Sequence, residues 1–435
     1  MGMKQESVQA SRRGWKIAAI AAAGVLVVGG GVGIATASTW NDPQAADSPS
    51  AAPEASGGTA TAPTQAPASS ATASPSSPAQ ASGEEFTVGV TPTDAAYAVN
   101  PATPAAVTVT GATLESVDLS PAAGGSPVSG DLSDDGATWT ANERLAFNTA
   151  YTFSYMAIDS AGESKRGTST FSTVQPAYEA DASMFPLDGS TVGTGQPLEF
   201  TFSEPVTDRD AVEKAITVTS TSAQPGAFYW LSDTKVRYRP EEFWAPNSTI
   251  TVNLDLFGVD FGNGMIGNSD TTKTIRTHNT RLAVVDNATK MMKVYLDGTL
   301  DATFPVTLGT EDWPSTEGYM VVMDKYATTR FTAESIGLKP GDSAYYPPTV
   351  VNHASRLSKG GAFVHEALPA AQVALGKVNV SHGCIGMSPE GAAYFYTTFG
   401  PGDVVEIRNT DYGPMFVEDG FGDWNVPWTD WVNQP

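Results

Sequence analysis

Cys384 is the single cysteine in a chain of 435 residues, and it closes the run Ser381-His382-Gly383-Cys384. With no second cysteine it forms no intrachain disulfide, and beside a glycine and near histidines it reads as a nucleophile. Only four histidines are present, His278, His353, His365 and His382, and the last three all precede the thiol closely. An unperturbed thiol is only slightly ionised at neutral pH, so a neighbouring imidazole is the base that would activate it. His365 lies upstream and must reach Cys384 through folding. Gly383 allows a tight turn before the nucleophile and leaves its own amide and that of Cys384 free to face a developing oxyanion. Together these residues suit acyl transfer through a thioester. Two other readings stay open at this point. One is an inert core cysteine, which glycine and histidine neighbours suit poorly. The other is a zinc site built from Cys384, His365, His382 and His353, although the His-x-Cys spacing matches no usual finger or deaminase pattern. No metal and no cofactor is expected.

The elements that must position these residues are strands. From Phe86 to about Val174, short alternating runs such as Val107-Thr108-Val109-Thr110 and Tyr151-Thr152-Phe153-Ser154-Tyr155 are separated by turn signals, the pattern of a β-sandwich. Asp135-Gly136 is a candidate type I′ hairpin turn. A second unit on the same plan opens near Met184 and carries Leu198–Phe202, Lys235–Arg239 and Ile250–Leu256 as period-two strands. A third region starts near Arg281, with strands at Leu282–Asp286, Lys290–Gly298, Thr303–Leu308 and Gly318–Met323, and one clear helix, Pro389–Phe399, after a Ser388 N-cap. The fold class is therefore mainly β: two tandem immunoglobulin-like sandwich modules, then a β-rich catalytic domain with few helices. The expected divisions are 1–16 basic segment, 17–37 apolar segment, 38–83 linker, 84–176 and 177–279 the two modules, 280–409 the catalytic domain, and 410–435 a Trp-rich tail. Packing of Trp424, Trp428 and Trp431 back onto the catalytic domain is the favoured reading of that tail, and stacking on sugar rings is its alternative.

The ends and the composition bound the setting. Lys4, Arg12, Arg13 and Lys16 precede an uncharged apolar run from Ile17 to Ala37, long enough to cross a bilayer with its basic flank inside. Its glycines and Ala35-Thr36-Ala37 equally suit a cleaved signal peptide, so a membrane anchor and a secretory leader both remain open. Either places the rest of the chain outside the cytoplasm. Ser38 to Gly83 is almost entirely Ala, Ser, Thr, Pro and Gln and buries too little apolar surface to fold, which makes it a stalk. The formal net charge is −23, which argues against nucleic acid as a partner.

Phe363-Val364-His365, Ser381-His382-Gly383-Cys384-Ile385 and Val404-Val405-Glu406-Ile407 together resemble the L,D-transpeptidases of bacterial cell walls. The likeness is to the multi-domain actinobacterial members and extends from the apolar segment through both modules to the tail Gly422–Trp428. It implies a peptidoglycan tetrapeptide stem as acyl donor, attacked by Cys384 at its third residue with release of terminal D-alanine, and a second stem as acceptor in a 3→3 cross-link. It further implies His365 as general base oriented by a backbone carbonyl, His382 and Ser381 shaping the site, Gly383 and Cys384 amides binding the oxyanion, Tyr346 or its neighbour Tyr345 contacting substrate from a lid, and carbapenem β-lactams as covalent inhibitors. Gly386 departs from the family, whose members often carry Asn or Arg there, and this puts a donor contact in doubt. Glu366, beside the base, would raise the imidazole pKa if turned inward. A peptidoglycan carboxypeptidase using the same thiol is the alternative function, and a non-catalytic wall-binding protein is a third. A sortase-like enzyme is disfavoured, since Arg408 is the first arginine after the cysteine.

Overall fold

The computed structural model describes residues 86–434. The basic segment 1–16, the apolar segment 17–37 and the stalk 38–83 lie outside the described residues. Among the described residues no helix is long and apolar enough to cross a membrane.

Alternation of large apolar and small polar residues builds both sandwiches. In Ala150–Asp159, Tyr151, Phe153 and Ala157 turn inward and are buried. That strand lies in a four-stranded sheet with 96–99, 112–121 and 164–173, facing a second sheet of 87–91, 106–110, 130–132 and 138–141. Trp139 and Phe153 meet edge to face between the sheets, ring centres 6.0 Å apart. The second module repeats the plan with sheets of 182–185, 198–202, 226–232 and 235–240 and of 191–192, 216–220, 249–255 and 270–277. Leu198, Phe200, Phe202, Val236, Ile250 and Val252 fill its core. At Asp135-Gly136 the turn is wider than a two-residue hairpin. Only Gly136 takes a positive φ, 67°, while the Asp135 carboxylate accepts from Ser133 Oγ and the Ala137 amide and holds a longer connection.

The third region is a nine-stranded mixed sheet ordered 318–321, 404–408, 281–286, 291–296, 299–307, 385–387, 363–366, 349–356 and 324–331. Helix Pro389–Thr398 starts where Ser388 Oγ accepts from the Gly391 amide, and it buries Ala392 and Phe395 in the core of this region. The helix 209–214, the helix 369–372 and the helix 428–432 are each too short to show a helical period in the sequence.

The tail contacts the catalytic region, as expected, and also reaches the second module, which was not expected. Asn425 bonds to the catalytic region, through the Tyr319 amide at 2.7 Å and the Tyr319 carbonyl at 2.8 Å. Beyond it the chain crosses to the second sandwich, where Trp431 Nε1 donates to the Ala227 carbonyl and its ring stacks on Tyr229. Arg239, in strand 235–240, lies within 4.3–5.3 Å of the ring centres of Trp424, Trp428 and Trp431. Arg237, 1% exposed, pairs with Glu199 and with the fully buried Asp423 at 2.8 Å each. Two arginines on one strand thus hold the tail across the junction, Arg239 by the tryptophan faces and Arg237 by Asp423 and the Phe421 ring, because a desolvated guanidinium needs either carboxylates or aromatic faces.

Candidate active site

Parallel pairing of strand 363–366 with strand 385–387 sets the geometry. His365 stands opposite Gly386, and Gly386 opposite Thr307 on the other side. With a side-chain period of two, Cys384 falls on the same face as Gly386 and His365, so the chain order His365…Cys384 becomes a diagonal pair across adjacent strands. Both side chains line a cavity of ≈220 Å³, together with Tyr346, Ser381, His382 and Gly386, under walls of Phe331 and Val351. Cys384, His365, Tyr346, Ser381, His382 and Gly386 therefore border one space, while Gly383, His353 and Tyr345 do not.

His365 is 9% exposed. Its Nδ1 stands 2.8 Å from the Glu366 carbonyl, and since a carbonyl oxygen only accepts, Nδ1 carries the proton and Nε2 keeps its lone pair. Phe331 meets the ring edge to face at 5.1 Å. Burial lowers the imidazole pKa, against smaller upward effects from the Glu366 carbonyl and carboxylate. Glu366 thus acts opposite to the net shift, and its side chain turns instead toward His353, with Oε2 3.4 Å from Nδ1. His353 is a strand residue packed on Tyr396 and takes no part in the cavity. His278 stands 3.4 Å from buried Asp403 at the start of the catalytic region.

Cys384 is partly buried, and its Sγ donates to the Gly361 carbonyl at 3.4 Å. No hydrogen bond joins the sulfur to His365 among the described residues. Burial pushes the thiol pKa up to about 11, with a backbone hydrogen bond to Phe363 opposing it. Burial thus favours the neutral form of both the thiol and the imidazole.

Gly383 adopts φ 109°, a region that L side chains avoid, and so makes the turn expected of it. Its amide is not free, however. Ser381 Oγ accepts the Gly383 N–H at 3.2 Å and donates to the Cys384 carbonyl at 2.6 Å, closing the turn on itself. Among the described residues no acceptor engages the Cys384 amide, so of the two amides only this one is unpartnered. His382 Nε2 donates to the Ala344 carbonyl at 3.0 Å, and its ring lies between Trp313 and Tyr346. It ties the turn before the thiol to the lid. Tyr346 faces the cavity, whereas Tyr345 points its hydroxyl at Glu334. Phe331, Thr307 and Ser315 also build the site and carry no local sequence signal, because their contacts come from strands and loops distant in the chain.

Residues 96–260 match the model of a bacterial Ig domain and residues 280–407 that of an L,D-transpeptidase catalytic domain. L,D-transpeptidase 2 of Mycobacterium tuberculosis (strain CDC 1551 / Oshkosh) is 36% identical over 339 residues, 78% of this chain and 82% of that protein. The chain belongs to the L,D-transpeptidase family. L,D-transpeptidase 5 of the same species (strain H37Rv) is 30% identical, over 79% of this chain and 75% of its own. The crystal structure of L,D-transpeptidase 3 from Mycobacterium tuberculosis in complex with a faropenem-derived adduct is 29% identical, covering 54% of this chain and 99% of that one, with a TM-score of 0.45.

Within this L,D-transpeptidase, the glycine at 386 has a local cause. A Cβ there would lie 2.9 Å from Thr307 Cγ2 and 3.2 Å from Ala367 Cβ. Thr307 is 1% exposed and pinned by its hydroxyl, which donates to the Val378 carbonyl and accepts the Val380 amide. The neighbours occupy the place of a side chain, so they form the cavity floor themselves.

Proposed function

We propose that the protein forms 3→3 peptidoglycan cross-links through a thioester on Cys384. The observation that carries this reading is the convergence of Cys384 and His365, from adjacent parallel strands, on one largely apolar cavity. The donor is a tetrapeptide stem whose third-residue carbonyl sits above the sulfur. Sγ rotates from the Gly361 carbonyl toward the cavity and adds to the carbonyl carbon while His365 Nε2 takes the thiol proton. The carbonyl electron pair moves to oxygen, where the Cys384 amide meets the charge. Collapse of that adduct breaks the bond to terminal D-alanine, which leaves as the amine with the proton from His365. An amine on the third residue of a second stem then attacks the thioester. His365 takes its proton and returns it to the departing sulfur.

Neutral partners at rest fit this sequence. A thiol held near pKa 11 keeps its proton until a carbonyl is in place, so proton transfer and attack are coupled rather than successive. Tyr346 contacts the stem from the lid, and His382 holds the lid to the turn. Such substrates lie outside the cytoplasm, which agrees with the anchor or leader read in segment 17–37.

A β-lactam carbonyl presents the same electrophile but keeps its leaving amine tethered, so the acyl-enzyme persists. The full chain without its apolar segment, mixed with a carbapenem, should gain the mass of one inhibitor on Cys384, and Cys384→Ala should gain none. An unmodified wild-type mass, or an adduct on the alanine variant, would contradict the assignment of the nucleophile.

A further inference from the structure

We propose that Ser315 is a positioning residue that aims the Cys384 amide at the oxyanion, an inference that rests on the reading of Cys384 as nucleophile. Ser315 lies in the loop between strands 299–307 and 318–321 and is 2% exposed. Its hydroxyl has two partners. The Gly309 amide donates to Oγ at 3.0 Å, so the single hydroxyl proton goes to the Gly383 carbonyl at 2.8 Å. That carbonyl and the Cys384 N–H belong to one planar trans peptide and point in opposite directions. Holding the oxygen on the Ser315 side therefore holds the N–H on the other.

The tether matters because of what surrounds it. Gly383 at φ 109° has no side chain to restrict the peptide that follows it. The Ser381 hydroxyl engages the Gly383 amide and the Cys384 carbonyl, which flank that peptide but do not include it. Ser315 is the one side chain that grips it among the described residues. The grip is firmly based: Thr310 N–H donates to the Ser381 carbonyl at 3.0 Å and Ser381 N–H to the Leu308 carbonyl at 3.1 Å. The loop and the turn are thus stitched together on both sides of the serine.

A positioning role predicts that reactions which build an oxyanion suffer while the thiol itself remains competent. Ser315→Ala and Ser315→Thr would be compared with wild type in two reactions of Cys384. One is acylation by imipenem, which passes through an oxyanion, and the other is alkylation by iodoacetamide, a displacement at carbon that forms none. In Ser315→Ala, acylation should fall by about 10–100-fold, since losing an oxyanion donor outright costs roughly 10²–10³. Alkylation should stay within about twofold of wild type. Ser315→Thr, which keeps the hydroxyl, should recover most of the acylation rate. Unchanged acylation in Ser315→Ala, or equal loss in both reactions, would overturn the assignment, the second by showing general collapse of the turn. A wild-type enzyme that is alkylated at Cys384 yet never acylated would instead sink the nucleophile reading itself, and the Ser315 role with it.

Discussion

A thiol pKa near 11 beside a base whose own pKa is lowered is a specific chemical state at the residue scale. Papain-like sites instead depress the thiol pKa with a neighbouring imidazolium and hold a thiolate at rest. The difference is measurable as the pH dependence of iodoacetamide alkylation in the free enzyme. Because only the thiolate reacts, the rate should be low at pH 7 and still climbing above pH 9, beyond the ordinary cysteine range. A plateau already reached at pH 7 would show a preformed ion pair. Under the proposed mechanism acylation behaves differently, because His365 would remove the proton during attack. Its acid limb should fall below the ordinary histidine value of about 6.5, since burial favours the neutral ring. Glu366 does push this pKa up, but burial outweighs it, and the condition of an inward-turned side chain is not met: residues 365 and 366 alternate across the sheet, and the carboxylate turns to His353.

Strands decide which residues can meet at the scale of elements. Gly386 lies at the centre of the sheet, flanked by His365 and Thr307, and any Cβ there presses on a β-branched side chain with both hydroxyl bonds committed. Gly386→Ala should cost about 1–3 kcal/mol by overpacking, read as a lowered urea midpoint with an unchanged slope. A neutral or stabilising outcome would mean that Thr307 yields freely. The strands from 281–286 to 318–321 and the helix after Ser388 were legible in the sequence, because period two and an N-cap serine are local signals, whereas the four-residue strand 363–366 that carries His365 is too short to show a period. The meeting of Cys384 and His365 in one cavity was legible too, since cysteine and histidine are scarce in this chain. Ser315, Thr307 and Phe331 were not, because each acts through a contact between segments far apart in sequence. The occupied Gly383 amide was hidden for the opposite reason. Ser381 is close by, but the rotamer that lets its hydroxyl bridge the turn is set by tertiary packing.

At the scale of the whole molecule, the tail joins the second sandwich to the catalytic region through Arg237, Arg239 and three tryptophans, where sequence reasoning expected packing on the catalytic domain and named no contact with the sandwich. Composition could not reveal this, because Lys235–Pro240 alternates like any half-exposed strand although Arg237 and Arg239 are buried. The central claim about the molecule remains the acyl transfer at Cys384, and the most direct test weighs its products. Disaccharide-tetrapeptide incubated with the protein should yield a dimer whose mass equals two substrates less one D-alanine, and Cys384→Ala should yield no dimer. Disaccharide-tripeptide without any dimer, or dimer formed by the alanine variant, would contradict the account.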